Sequence, residues 1–218
     1  MFIIENLTAL ILSLLVTFGA YAPATYEIAD IPEKSAEAVR IISFNVRCAN
    51  DLYGSVEGRS ELITAALSQY SADSFGVQEA TKQWLDIMNE KLGDRYAMVS
   101  QMRDGKKNSE ASAVFYLKDK YNLIDSGTIW LSDTPEKFAS KFSLSFCPRI
   151  ATWAVLENRE TGERYAHVNT HLDNQGAQAR TNGLKLVLEK AASELISYGT
   201  SGMSVMEMSH RSPDYEAI

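Results

Sequence analysis

From Tyr96 to Leu172 the chain is written with a period of two. "YAMVSQM", "ASAVFYLK", "NLIDSGTIWLS", "RIATWAVLEN" and "ERYAHVNTHL" follow one another, rich in β-branched and aromatic residues. Side chains two positions apart share one face of a strand, so these are five strands that must bury at least one face each. The loop "RETGE", with Gly162, joins the last two as a hairpin. Upstream, "RIISFNVRC" sets Ile42, Phe44 and Val46 against Ser43, Asn45 and Arg47, which predicts a strand with one apolar face and Asn45 on the other. "SFGVQE" is a short apolar strand ending in Glu79. "RSELITAALSQY" reads as a helix with Leu62, Ala65, Ala66 and Tyr70 on one side, and "ATKQWLDIMNEKLG" groups Trp84, Ile87, Met88 and Leu92 before a glycine stop. "NGLKLVLEKAASELIS" places Leu184, Val187, Leu188, Ala191 and Leu195 at helical spacing. Helices early, strands in the middle and a helix late predict a layered α/β fold with mixed or antiparallel sheets.

A chain of 218 residues, 45% hydrophobic, is long enough for one large domain with a buried core. Its net charge of −7 argues against a broad nucleic-acid-binding surface, because phosphate neutralisation needs clustered Lys and Arg. A small phosphorylated substrate held at a metal is compatible with that charge. The two cysteines, Cys48 and Cys147, define no disulfide framework; one bridge and two free thiols both stand open. The apolar run Leu7 to Phe18 is too short for a stable membrane span and suits a secretory signal, with Ala22 and Ala24 forming an A-x-A site before Thr25. The expected organisation is a signal peptide over 1–24, a polar lead-in over 25–38 and a domain over 39–218, in a secreted or periplasmic protein. Glu5 and the lack of Lys or Arg at the start depart from the usual signal, so an uncleaved membrane anchor is the alternative.

Three strand ends carry polar residues that a core does not need: Asn45, Glu79 and His171. Taken singly, Asn45 suits solvent, Glu79 suits a helix cap and His171 suits a loop hydrogen bond. Taken together they are a carboxylate for a hard cation, an amide to orient a phosphate or ligate a metal, and an imidazole, the components of metal-assisted phosphoryl hydrolysis. A Cys-His hydrolase built from Cys48 or Cys147 with His171 has no supporting context.

"IISFNVRC", "DSFGVQEAT", "LIDSGTIWLSDTP", "RIATWAVLEN" and "YAHVNTHLDNQGAQAR" resemble, in that order, the successive motifs of the endonuclease/exonuclease/phosphatase superfamily. The resemblance spans residues 40 to about 198. It implies a four-layer α/β sandwich, two sheets face to face with helices outside, and a Mg²⁺ cofactor for which Mn²⁺ can substitute. By the same resemblance Glu79 and Asn45 are metal ligands, and His171 and Asn45 act at the scissile phosphate of a phosphoester, small molecule or nucleic acid. Arg149 and Arg103 face the substrate, with Glu110 in the loop after the third strand. The family pattern then requires G-D-x-N and, later, a D-H pair. After the last helix the chain instead reads "MSVMEMSHRSPDYEAI", with Glu207, Met208 and His210 over the Gly, Asp and Asn positions, or Ser209 over the Asn. "KFASKFSLSFCPRI" also departs from the acidic and aromatic loop that usually precedes the arginine. The resemblance therefore implies a C-terminally truncated or divergent member with an incomplete second sheet. The same resemblance implies a phosphodiesterase, phosphatase or nuclease by descent, with little turnover expected because such groups act as a unit. The alternative is a non-catalytic phosphoester-binding protein.

Overall fold

Strand alternation in this chain resolves into two four-stranded sheets packed face to face. The computed structural model describes residues 31, 33–35, 38–50, 54–193, 195–200 and 202–207, so the export segment and Met208, Ser209 and His210 lie outside the described residues. The first sheet contains β1 (Ile41–Asn45), β2 (Ser74–Thr81), β3 (Tyr96–Val99) and β4 (Glu110–Leu117) in the order β1-β2-β4-β3, with β1 parallel to β2 and the other pairs antiparallel. The second contains β5 (Tyr121–Trp130), β6 (Ile150–Asn158), β7 (Arg164–Thr170) and β8 (Gly202–Glu207) in sequence order, with β8 parallel to β7. Gly162, at φ +72°, turns the β6–β7 hairpin.

Helices α1 (Val56–Tyr70) and α2 (Lys82–Leu92) cover the outer face of the first sheet. Leu67, Trp84 and Met88 pack there with Phe75, Val77 and Phe115. Helix α3 (Ala177–Ser193) covers the second sheet through Val187 and Ala191, which meet Trp153, Val155 and Val168. Between the sheets lie Val114, Tyr116, Tyr121, Ala154, Leu156 and Tyr165. Because Val114 and Phe115 point to opposite faces of β4, the order helix, sheet, sheet, helix follows from alternation alone. This is the four-layer sandwich expected from the sequence.

Four local expectations are corrected. Helix α1 buries Val56, Ser60, Ile63, Thr64 and Leu67, leaving Leu62 exposed and Ala65 outward. The hydroxyls of Ser60 and Thr64 donate back to the carbonyls of Glu57 and Ser60, at 2.6 and 2.7 Å, so two polar residues enter the core with their hydrogen bonds made. Helix α3 likewise buries small residues, Ala179, Gly183, Val187 and Ala191, and exposes Leu184 and Leu188. A Cβ on Gly183 would lie 3.0 Å from Leu131 Cδ1, so the helix sits too close to the sheet for larger side chains on that face. Phe44, on the edge strand β1, is exposed, although Ile42 and Val46 on either side of it pack into the core beneath the helices. Residues 202–207, read from the sequence as part of a tail without a strand, form β8. Their weak strand propensity is overridden by a parallel partner, β7, reached across α3 as in any β-α-β unit.

Polar side chains link the sheets at both ends. Near the end of β2, Asn169 of β7 donates through Nδ2 to the carbonyls of Val77 (2.9 Å) and Ala113 (2.8 Å), and its Oδ1 accepts from Gln78 Nε2 (2.6 Å). Gln78 Nε2 also donates to Ser43 Oγ of β1 at 3.0 Å. The backbone of Gly76 makes room for this amide: a Cβ there would stand 2.7 Å from Asn169 Cγ. At the start of β2, the buried Asp73 carboxylate accepts from Lys34, from Lys120 (2.7 Å), from Tyr121 Oη (3.0 Å) and from the Arg40 amide (2.7 Å). Burial would raise this carboxyl, but those four donors hold it below its ordinary range. Beside it Tyr165 Oη donates to Ser74 Oγ at 3.1 Å, and Ser74 Oγ is 2.8 Å from His167 Nδ1.

Two measurements test this interior. Gly76→Ala should destabilise the fold by about 1–3 kcal/mol through the clash with Asn169, read as a lower urea midpoint at unchanged m-value; a neutral result would mean that the amide can move aside. Burial also pushes the fully enclosed His167 imidazole down to about 3. The unfolded chain, with an ordinary histidine near 6.5, therefore binds a proton that the native state refuses. Stability contributed by neutral His167 is complete above about pH 6.5 and declines as pH falls from there toward 3. His167→Asn should flatten the stability–pH curve between pH 6.5 and 4.5, and parallel curves for the two proteins would contradict the assignment.

Candidate functional site

Glu79 reaches the site through an irregularity in β2. The β2–β4 register shifts between Val77 and Ala80, and Glu79 inside that bulge has φ +59°, the left-handed region that a non-glycine residue enters at a cost of about 1–2 kcal/mol. The bulge turns the carboxylate out of the ladder. Its Oε1 accepts from Asn45 Nδ2 at 3.0 Å and its Oε2 from the Cys48 amide at 3.1 Å. Asn45 Oδ1 in turn accepts from the Arg47 amide at 2.9 Å, so Asn45 fixes both the loop after β1 and the direction of Glu79. That loop is further held through the Arg47 carbonyl, which accepts from Trp84 Nε1 (3.0 Å) and Arg59 Nη2 (2.8 Å). The helix-cap role open to Glu79 in the sequence is not taken: Thr81 is the N-cap of α2, and no side chain closes it.

The ends of β2, β4, β6 and β7 converge on one narrow cleft, lined by Glu79, Arg103, Glu110, Ala111, Ser112, Arg149, Ile150 and His171. All the site residues named from the sequence are therefore brought together, Asn45 through its bond to Glu79. Arg103 makes a two-pronged ion pair with Glu110, Nη1 to Oε2 at 2.7 Å and Nη2 to Oε1 at 2.9 Å, and its carbonyl accepts from Trp130 Nε1 at 2.7 Å. Arg149 is only 6% exposed; its Nη2 donates to Asn174 Oδ1 at 3.2 Å and its Nε lies 4.0 Å from Asp173 Oδ2. His171, also 6% exposed, immediately follows β7.

The sequence reading passed over Asp173. Its carboxylate accepts from the amides of Gly176 (2.7 Å), Gln175 (2.9 Å) and Phe146 (3.1 Å), while its carbonyl accepts from Arg180 Nη1 (3.0 Å). It ties the loop before β6 to the turn after His171 and faces Arg149. An aspartate followed two residues later by a Gln-Gly step is a turn signal that the sequence does carry.

The carboxylates of the cleft are held differently. Burial would raise Glu79, but the donors Asn45 and Cys48 N, with His171 nearby, keep it below the ordinary glutamate range. Glu110 is pushed up, by burial first and by the charge of Glu79, against the pull of Arg103. The Cys48 thiol, raised to about 11 by burial and then by Glu110 and Glu79, shares hydrogen bonds with both carboxylates and stays protonated. Both cysteines are free thiols. Among the described residues no three His, Cys, Asp or Glu side chains gather closely enough to cage an ion. Two neighbouring carboxylates in an arginine-flanked cleft instead suit Mg²⁺, which keeps most of its waters and takes one or two carboxylates plus substrate oxygens.

None of the known protein-family models matches the chain. Over 34 residues, 16% of its length, it is 65% identical to phosphoserine aminotransferase from Streptococcus thermophilus, spanning only 9% of that enzyme. A match of that size is a segment and carries no domain with it. Solved structures give broader likenesses. An endonuclease/exonuclease/phosphatase family protein from Bacteroides thetaiotaomicron superposes with a TM-score of 0.70 at 31% identity, over 78% of this chain and 62% of that one. A mannosyl-6-phosphatase from the same species gives 0.68 at 30%, over 78% and 64%. The endonuclease/exonuclease/phosphatase from Bacteroides vulgatus gives 0.68 at 30%, over 72% and 61%. The chain thus spans less than two thirds of the length of these structures. Their fold, the ordered motifs and the convergence of those motifs on one cleft agree, and this chain belongs to the endonuclease/exonuclease/phosphatase superfamily.

Proposed function

We propose that the cleft is a Mg²⁺-dependent phosphoester site, descended from a hydrolase and acting in residues 1–218 mainly as a binding site with low turnover. The observation that carries this reading is the meeting of Glu79 and Glu110 with Arg149, Arg103 and His171 in one partly enclosed cleft. Likeness to a mannosyl-6-phosphatase supports a phosphomonoester as the substrate type, and the net charge of −7 favours a small substrate over long nucleic acid.

Glu79 would hold the cation, oriented by Asn45 and the Cys48 amide. A bound Mg²⁺ ion supplies charge neutralisation at the phosphate oxygens. Arg149, buried and anchored by Asn174 and Asp173, presents a guanidinium to the same phosphate with little rotamer freedom left to lose. His171 lies where it can donate a hydrogen bond to a phosphate oxygen. Where the family pattern has G-D-x-N, this chain reads Glu207, Met208, Ser209 and His210. Losing that aspartate and asparagine removes groups that would orient the attacking water, and positioning accounts for much of the rate in such displacements. The second reading, a phosphoester-binding protein without turnover, is favoured by that same feature.

Titration with Mn²⁺, followed by water-proton relaxation, should reveal one weak site that Glu79→Gln abolishes; undiminished binding by the variant would remove Glu79 from the role. Hydrolysis of bis-(p-nitrophenyl) phosphate, mannose 6-phosphate and plasmid DNA in Mg²⁺ should stay near background. Robust turnover lost in His171→Ala would overturn the low-turnover reading. Arg149→Lys keeps the charge but loses the fork of donors, so inorganic phosphate should bind about tenfold more weakly by calorimetry, with the melting curve little changed.

A further inference from the structure

Arg103 and Glu110 are an unusual pair to find in a cleft that must admit an anion and a cation. Two guanidinium donors are committed to both oxygens of one carboxylate, and the two side chains are only 17% and 14% exposed. The pair is built on rigid backbone. Arg103 N donates to the Glu110 carbonyl at 3.0 Å, Met102 bridges Ala111, and the intervening loop is closed by Asp104 N to Ser109 Oγ (3.1 Å) and Lys106 N to Asp104 Oδ1 (3.0 Å). On its other side Glu110 faces Glu79, with the Cys48 thiol hydrogen-bonded to both.

We infer that Glu110 is a second cation carboxylate and the positioning residue of Arg103, so that the pair couples cation binding to phosphate binding. This rests on the phosphoester-site reading above. Glu79 and Glu110 together would hold the cation, whose charge would relieve their mutual repulsion and compete with Arg103 for the lone pairs of Glu110. A guanidinium has five donors and no acceptor. Once Glu110 turns to the cation, the donors of Arg103 are unsatisfied in a partly buried place, and the nearest acceptor of suitable charge is a phosphate in the cleft shared with Arg149 and His171. In the other direction, phosphate that draws off Arg103 bares Glu110 to the cation. The two effects must be equal in size, because linkage is reciprocal. Arg103 and Glu110 neutralise each other across the cleft wall, so neither charge is buried alone.

Calorimetric titration of the full chain with inorganic phosphate, with and without saturating Mg²⁺, tests this in wild type, Glu110→Gln, Arg103→Gln and the double variant. Wild type should bind phosphate about tenfold more tightly with Mg²⁺ present. Glu110→Gln should bind phosphate more tightly than wild type without Mg²⁺, because Arg103 is already released, and should gain little when Mg²⁺ is added. That improvement should vanish in the Arg103→Gln background. An equal improvement there would mean that Glu110 acts only as a charge, and an equal Mg²⁺ gain in wild type and Glu110→Gln would mean that coupling bypasses the pair; either result overturns the inference and leaves the phosphoester site standing. Wild type that binds neither phosphate nor Mg²⁺ would overturn the site itself. Should Glu110→Gln fail to fold, the Arg103 guanidinium resonances of wild type give the answer: Mg²⁺ and phosphate together must shift them, and resonances unmoved by both ligands would refute the coupling.

Discussion

A single buried amide, that of Asn169, sets the distance and register between the two sheets at the end where the cleft opens. Its Nδ2 reaches the carbonyls of Val77 and Ala113, which are partners across the last regular β2–β4 pair before the bulge. Its Oδ1 engages Gln78, the first residue of that bulge, and Gln78 continues to Ser43 on β1. One side chain of the second sheet thereby grips β2 and β4 just ahead of the bulge that displays Glu79, while His171 follows two positions later on the same chain. A dry apolar contact could hold the sheets together but could not select a register. Hydrogen bonds whose loss leaves buried carbonyls unsatisfied, at about 1–3 kcal/mol each, can.

The far end of β2 uses the same device with charge. Asp73 gathers Lys34 from the segment ahead of β1, Lys120 from the turn into β5 and the Tyr121 hydroxyl, so the first strand, the central strand and the start of the second sheet share one carboxylate. The sandwich is thus apolar across its middle and polar at each end, and the ends differ in one respect. At Asp73 the charge is met by two lysines, a tyrosine and an amide, whereas in the cleft Glu79 is met by Asn45 and the Cys48 amide and Glu110 by the Arg103 fork.

Most of the architecture was legible because β-strands advertise themselves by alternation, and strand ends advertise polar residues that a core would exclude. Asn45, Glu79 and His171 were readable on that ground; Arg149 came with the ordered motifs, and Arg103 and Glu110 only with a looser likeness in "RDGKKNSE". The helical faces were less readable. In α1 and α3 the sequence places Leu62, Leu184 and Leu188 on the outside and Ser60, Thr64, Ala179 and Gly183 inside, because close approach to a sheet favours small side chains and local hydroxyl bonds over bulk. Strand β8 was invisible for a different reason: its pairing with β7 is a tertiary event that local propensity does not encode. Asn169 escaped notice because a polar residue in an alternating strand reads as solvent-facing, and here that face looks into the other sheet.

The backbone of Glu79 gives this site an evolutionary direction. At φ +59° a glycine or an asparagine would be more comfortable than a glutamate, so the position that carries the charge is also one where replacement would relax the chain. Stability and chemistry pull against each other at that residue. A replacement that eased the backbone would also leave Asn45 Nδ2 and the Cys48 amide without their acceptor, so residue 79 is free to change only together with the loop after β1 that it holds.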